Sequence, residues 1–180
     1  MKSTYTKALS FVLESEGGFS DDPGDSGGPT MKGITWSDIA AYRKKPVSAF
    51  SSHASQVRLA KSLTDEELGT IYSQKYWAEN LCDDLPFPLD MIVFDTAVNC
   101  GYQGARLLWR ATGQQPLRVV TAALLAIIRN EGAHLPTVVE NYLDLRIAYY
   151  HAIAHGHNAK FLKGWLARVD HLRTAVEVKP

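Results

Sequence analysis

Apolar residues recur at helical spacing along most of the chain, in segments separated by glycines, prolines and capping residues. Seven or eight helices are predicted in this way, and their approximate ranges are 3–16, 35–42, 64–80, 88–101, 104–112, 116–128, 136–155 and 158–170. The segment 44–55 is polar and weakly patterned, which indicates a surface excursion. Strand patterns are nearly absent, so the sequence predicts a mostly α fold with at most a small β-hairpin after the first helix.

The first predicted helix carries a carboxylate at the edge of its apolar face. Glu16 shares a helical stripe with Tyr5 and Val12, whereas Glu14 points to the opposite side. Loss of water favours the neutral form of a carboxyl group, so Glu16 is expected to be half-buried and able to donate a proton near neutral pH. A helix cap or an ion pair with Lys or Arg is the alternative interpretation of this residue.

A loop rich in Asp, Gly and Pro follows this helix over residues 19–33. It is long for a plain connection, which favours a functional loop or a short irregular hairpin. Cleavage of a glycosidic bond needs a proton donor and usually a second carboxylate. Asp21, Asp22 and Asp25 are candidates for that second group, with Asp25 preferred, although each is also a typical turn residue. Asp21 and Asp22 are otherwise predicted to bind substrate.

Aromatic and amide side chains near predicted helix ends are candidates for sugar binding. Tyr76, Trp77 and Tyr102 could stack on the C–H faces of sugar rings. The Asn99 amide could bind an acetamido group or orient a water, but it could equally serve as a helix cap. These four residues are therefore predicted to contact substrate, with a structural role as the alternative for each.

Composition and charge exclude several classes of function. The chain has 180 residues, 46% of them hydrophobic, which is enough for one domain with a sizeable core. Lys plus Arg equal Asp plus Glu at 19 each, so no net charge attracts nucleic acid or an anionic membrane. The two cysteines are interpreted as reduced, the six histidines lack a metal-ligand arrangement, and no phosphate-binding Gly-Lys-Ser/Thr motif is present. Neither a metal nor a cofactor is expected.

Several motifs occur in a specific order and together resemble one known family. The first are Glu16-Gly17-Gly18-Phe19, Asp25-x-Gly27-Gly28-x-Thr30 and Gly33-Ile34-Thr35. Three more follow, and they are Val93-Phe94-Asp95-x-Ala97-Val98-Asn99-x-Gly101, Arg146-Ile147-Ala148-Tyr149-Tyr150 and Phe161-Leu162-Lys163-Gly164-Trp165-Leu166-x-Arg168-Val169. In these motifs the chain closely resembles glycoside hydrolase family 108, the lysozyme-like N-acetylmuramidases. It departs from the family pattern only mildly, with Phe19 where Tyr is usual and Ala167 where Asn often stands.

The resemblance implies a fold, an activity and a division of the chain. It implies a lysozyme-like helical fold and cleavage of the β-1,4 bond between N-acetylmuramic acid and N-acetylglucosamine in bacterial peptidoglycan. Glu16 matches the family's catalytic glutamate, and Thr30 and Thr35 are carried over as substrate-binding residues. Residues 1–92 would form the catalytic region, and residues 93–178 a helical peptidoglycan-binding region packed on it in one compact unit. The protein is expected to be a monomer.

The same resemblance bears on where the protein acts. The first residues contain no apolar run long enough for a signal peptide or a membrane span. We therefore expect synthesis in the cytoplasm without membrane insertion, followed by action in the periplasm or cell wall after export or release by another factor.

Other activities on related substrates remain open from the sequence. A lytic transglycosylase would cleave the same bond, and a wall-binding module would use the C-terminal helices without turnover. Chitin shares the acetamido sugar and is an alternative substrate. A substrate acetamido group or a fixed water could also replace the second carboxylate.

Overall fold

The structure is a computed structural model that describes residues 4–22, 27–130 and 134–176. Within these ranges it contains nine α-helices, which are α1 (Thr4–Ser15), α2 (Trp36–Tyr42), α3 (His53–Lys61), α4 (Asp65–Tyr72), α5 (Leu89–Cys100), α6 (Gln103–Ala111), α7 (Ala122–Asn130), α8 (Leu135–Ile153) and α9 (Leu162–Val176). A π-helical turn, Ser73–Ala78, continues α4. Short 3₁₀-helices span Val47–Phe50, Cys82–Asp84 and Gly156–Phe161.

A small antiparallel sheet follows the first helix. Its strands are β1 (Phe19–Ser20), β2 (Thr30–Met31) and β3 (Ile34–Thr35), in the order β1-β2-β3. Phe19 pairs with Met31, and Met31 pairs with Ile34. The prediction of a mostly α fold with a small β region at this place is confirmed.

The structure differs from the predicted helices in two places. Helix α3 lies in and beyond the segment that was expected to be an irregular surface excursion, and the Ser52 hydroxyl caps it by accepting from Ser55 N at 3.3 Å. Helix α7 begins at Ala122 rather than near Pro116, because the Thr121 hydroxyl accepts from Leu124 N at 3.3 Å and caps the helix there.

Residues Tyr5–Tyr76 form one compact unit, the N-terminal unit. Its core contains apolar side chains from α1, β3, α2, α3 and α4, which include Tyr5, Ala8, Phe11, Val12, Ile34, Ile39, Leu59, Leu68, Ile71 and Tyr72. Helix α4 begins with a capping box, since the Thr64 and Glu67 side chains each bond the other residue's backbone N–H. The unit therefore places the end of α1, the sheet and the end of α4 around a common core.

The chain from Trp77 onward, together with Thr4, belongs to a second compact unit, the C-terminal unit. Helix α5 is buried on all sides from Leu89 to Ala97, as its all-round apolar pattern predicts. It packs on α6, which also packs on α8, and α9 packs on α8. Helix α9 buries Val169, Leu172 and Val176, whereas Phe161, just before the helix, and Trp165 keep part of their surface exposed.

The predicted functional boundary between residues 92 and 93 falls inside helix α5. The compact units divide instead between Tyr76 and Trp77. The assignment of peptidoglycan binding to residues 93–178 stays a prediction. Among the described residues, no helix combines the length and apolar character needed to span a membrane.

Candidate active site

Glu16 directly follows helix α1 and lies at the edge of the N-terminal unit's core. The helix buries Tyr5, Ala8, Phe11 and Val12, and the Glu16 N–H still donates to Val12 O at 3.0 Å. Glu16 itself is half-buried, while Glu14 is exposed. The structure thus reproduces the predicted difference in burial between these two carboxylates.

The β2–β3 turn lies directly against the Glu16 carboxyl group. The turn residues Lys32 and Gly33 have φ values of +48° and +75°, the left-handed conformation that a two-residue hairpin of this type requires. A Cβ atom placed on Gly33 would lie 2.7 Å from Glu16 Oε2 and 2.9 Å from the Tyr72 hydroxyl oxygen. Only glycine therefore leaves room for the carboxyl group at this position.

Tyr72 of α4 holds this turn in place. Its side chain is fully buried, and its hydroxyl group donates to Lys32 O at 2.8 Å. The Tyr72 hydroxyl oxygen and the Glu16 carboxyl group both lie next to Gly33. The carboxyl group is therefore bordered by the Gly33 backbone and the Tyr72 phenol. These neighbours restrict the rotamers of Glu16 and keep its oxygens in one place.

Tyr76 adds a polar group near Glu16, and Lys75 lies beside Tyr76. The Tyr76 ring lies 5.5 Å from the Tyr72 ring, and Lys75 Nζ donates to Asp38 Oδ1 at 2.6 Å. Burial is the largest cause that raises the pKa of the Tyr76 phenol, and the Asp38 and Glu16 carboxylates also raise it, against the opposing effect of Lys75. Tyr76 is therefore a neutral hydroxyl near Glu16, which can donate or accept a hydrogen bond but does not act as a phenolate.

The predicted threonines lie in the same unit with different surroundings. Thr30 is half-buried in β2, opposite Ser20 of β1. Thr35 caps α2, since its hydroxyl oxygen accepts from Asp38 N at 3.1 Å and shares a hydrogen bond of 2.9 Å with Ser37 Oγ. The structure thus gives Thr35 a capping role that occupies its hydroxyl group.

The three loop aspartates that were candidates for the second carboxylate differ in their surroundings and in whether the structure describes them. Asp21 is exposed and pairs with His53, with 3.0 Å between Asp21 Oδ2 and His53 Nε2. Asp22 is also exposed. Asp25, the preferred second carboxylate, lies outside the described residues.

Three predicted substrate-binding residues lie in the C-terminal unit. Trp77 is only 1% exposed, packs edge to face on Phe94 and donates its indole N–H to Asp83 Oδ1 at 3.0 Å. It is a core residue, and the prediction that it stacks on sugar is corrected here because neither ring face is accessible. Tyr102 is 46% exposed, and Asn99 is half-buried at the end of α5.

Sequence reasoning missed the contacts that surround Glu16. Gly33 occurs in the sequence analysis only as part of a motif, and Tyr72, Lys75 and Asp38 were not predicted as site residues. The available signal was the i, i+4 pair of Tyr72 and Tyr76 at the end of a capped helix, which places two phenols on one face.

This arrangement can perform proton transfer by one carboxyl group in a fixed position. Within the described ranges, no group of three or more His, Cys, Asp or Glu side chains is placed to hold a metal ion. A half-buried acid beside neutral hydroxyl groups is a typical general acid.

Comparisons with known proteins place this geometry in context. The family model described as Glycosyl hydrolase 108 matches residues 9–101. The solved structure of Brucella abortus SagA is similar to this chain, with 30% sequence identity, a TM-score of 0.80, and coverage of 98% of this chain and 95% of that chain. No curated protein matches the sequence significantly.

Proposed function

Because this chain belongs to the glycosyl hydrolase 108 family and is a glycoside hydrolase, we propose that it is an N-acetylmuramidase that acts on bacterial peptidoglycan. It cleaves the β-1,4 bond between N-acetylmuramic acid and N-acetylglucosamine, and Glu16 is the general acid. The half-buried Glu16 carboxyl group, set against Gly33 and Tyr72, is the observation that carries this proposal. The C-terminal helices bind the wall, and the protein reaches it by export or release.

Glu16 protonates the glycosidic oxygen as the bond to the anomeric carbon breaks. The positive charge that develops on the sugar ring needs support from a second group, which we assign to Asp25, with Asp21, Asp22, a fixed water or the substrate acetamido group as alternatives. The paired Asp21 is the weaker aspartate for this task, because its carboxylate already faces His53. Tyr76, as a neutral hydroxyl next to Glu16, is suited to bind a sugar hydroxyl.

The masses of the products released from purified peptidoglycan test the reaction. Hydrolysis gives muramic acid ends that carry the added water, so we expect reducing muropeptides and no 1,6-anhydro products. Products lighter by one water would establish the lytic transglycosylase alternative. Binding to the wall without any released product would favour a non-catalytic module, and release from chitin but not from peptidoglycan would reassign the substrate.

Gly33→Ala is expected to lower activity by about tenfold or more, because a displacement of about 1 Å at a catalytic group can cost about a hundredfold. The new methyl group would meet Glu16 Oε2 at 2.7 Å and must push the carboxyl group away. The rate of release of reducing ends from peptidoglycan measures the effect.

Gly113→Ala is the matched control for this variant. Gly113 has a φ of +74°, nearly the same as Gly33, but a Cβ atom placed there has no atom within 4 Å among those compared. Both variants therefore carry the same backbone strain of about 1–3 kcal/mol, and only Gly33→Ala disturbs Glu16. Equal losses of activity in the two variants would contradict the site.

A further inference from the structure

Residues from the three later sequence motifs meet around one buried carboxylate in the C-terminal unit. Asp95 of α5 and Arg146 of α8 are both fully buried, with 2.6 Å between Asp95 Oδ2 and Arg146 Nη1. Arg168 of α9 donates from Nε to Asp95 Oδ1 at 2.9 Å. Burying these charges is costly unless they are paired, and nothing in the proposed chemistry at Glu16 uses them.

Hydrogen bonds connect this ion pair to Asn99. Arg146 Nε donates to the Tyr150 hydroxyl oxygen at 2.9 Å, and that hydroxyl donates to Asn99 Oδ1 at 2.6 Å. Arginine has no acceptor, so the Tyr150 oxygen must accept from it and the Tyr150 proton is left for Asn99. Burial, the largest cause, raises the pKa of Tyr150 and keeps that proton on the phenol.

This chain of donors fixes the orientation of the Asn99 amide. The opposite amide orientation would leave the Tyr150 proton without its 2.6 Å acceptor, and the Cys100 thiol also donates to Asn99 Oδ1 at 3.3 Å. The Trp165 ring stacks on the Tyr150 ring, with 5.2 Å between the ring centroids and 20° between the ring planes. This stacking restrains the phenol. Oδ1 is therefore occupied from the protein side.

The amide nitrogen of Asn99 is the group that remains for a ligand. Within the described residues, the hydrogen bonds of the Asn99 side chain all reach Oδ1 and none involves Nδ2. The residue is half-buried at the last turn of α5. Nδ2 carries two donors and no acceptor. It therefore suits a carbonyl oxygen and does not suit a protonated amine.

We propose that Asp95, Arg146 and Tyr150 are positioning residues that hold Asn99 so that its Nδ2 group donates to the carbonyl oxygen of an N-acetyl group on the glycan. This inference rests on the proposed function, because it assumes that the glycan is the substrate. It makes Asn99 selective for N-acetylated over N-deacetylated sugar. It also gives the separate motif residues Asp95, Arg146 and Tyr150 one shared task.

Tyr150→Phe tests the positioning role on two walls, one fully N-acetylated and one partly N-deacetylated. We expect the wild type to prefer the acetylated wall. In the variant the ratio of kcat/KM values on the two walls should fall about tenfold, the size of one neutral hydrogen bond. We expect the loss as a higher KM on the acetylated wall, with kcat little changed. Tyr149→Phe, which removes the neighbouring hydroxyl from the same helix, should keep the preference.

Asn99→Asp provides a second variant that leaves the buried chain intact. A carboxylate at this position still accepts from Tyr150 and Cys100 but removes the donors that face the ligand and attracts an ammonium group. The preference should therefore fall at least as far as in Tyr150→Phe, at an unchanged melting temperature. The double variant should lose no more preference than Asn99→Asp alone, because both substitutions act on one interaction.

Three results would overturn the inference. These are equal losses on both walls, which indicate a merely structural role, an unchanged preference in Asn99→Asp, and additive losses in the double variant. Failure of the proposed function looks different, since the wild type would then release no product from either wall, and the inference would fall with it.

Discussion

Glu16→Gln is expected to lower the rate of peptidoglycan cleavage by about 10²–10⁴-fold, the usual contribution of a positioned general acid. The glutamine amide has nearly the same shape as the carboxyl group, so it fits against Gly33 and Tyr72 as the native side chain does. It has no acidic proton to give to the leaving oxygen. Release of reducing ends from purified cell walls measures the loss, and the melting temperature verifies that the variant folds.

Glu14→Gln is the matched control for this prediction. Glu14 lies two residues earlier on the same helix, and its side chain is exposed. The substitution removes the same charge from the protein, so any long-range effect of charge on wall binding is common to both variants. We expect Glu14→Gln to cleave at close to the native rate. A folded Glu16→Gln variant with native activity would refute the role of Glu16.

The sequence was most informative where one local pattern was strong. Helical periodicity alone separated Glu16 from Glu14, because burial on a helix follows from the position of a residue around its axis. The capping box at Thr64 and the all-round apolar pattern of α5 are also local signals, and the structure contains both features.

Weaker local signals gave wrong boundaries. Helix α3 buries only Leu59 and Ala60, so its apolar pattern is too sparse to recognise. At α7, Pro116 and Thr121 are competing start signals, and the hydroxyl cap of Thr121 determines the helix start. Trp77 was misassigned because a position near a helix end favours exposure, whereas its ring packs on Phe94 and its indole N–H donates to Asp83, contacts that only the tertiary structure shows.

The contacts around Glu16 depend on tertiary structure. Gly33 and Tyr72 reach Glu16 only after the sheet and α4 have packed, and neither sequence separation nor composition indicates that approach. The hydrogen-bonded network between Asp95 and Asn99 also depends on tertiary structure, since it joins residues of α5, α8 and α9 that are up to 73 positions apart. In both places the motifs named important residues, and the structure supplied the physical relation between them.

Asp95→Asn is expected to have the largest effect on stability. The substitution keeps the shape of the side chain but removes the negative charge that faces Arg146 and Arg168. The guanidinium groups of Arg146 and Arg168 would then lie close together without this counter-charge. Removing one partner of a buried ion pair costs about 3–5 kcal/mol of stability. For a chain of this length the melting temperature should fall by about 6–20 °C, which thermal unfolding followed by circular dichroism would measure.

Two further variants separate charge from packing in this prediction. Asp84→Asn breaks the exposed pair with Arg129, whose atoms are 3.7 Å apart, and should cost less than about 1 kcal/mol. Arg146→Met removes one of the two positive charges and leaves Asp95 paired with Arg168, so it should destabilise less than Asp95→Asn. Charge balance requires Asp95→Asn to lower the free energy of unfolding more than Arg146→Met does. If Arg146→Met lowered it more, lost packing and hydrogen bonding would outweigh charge balance at Asp95.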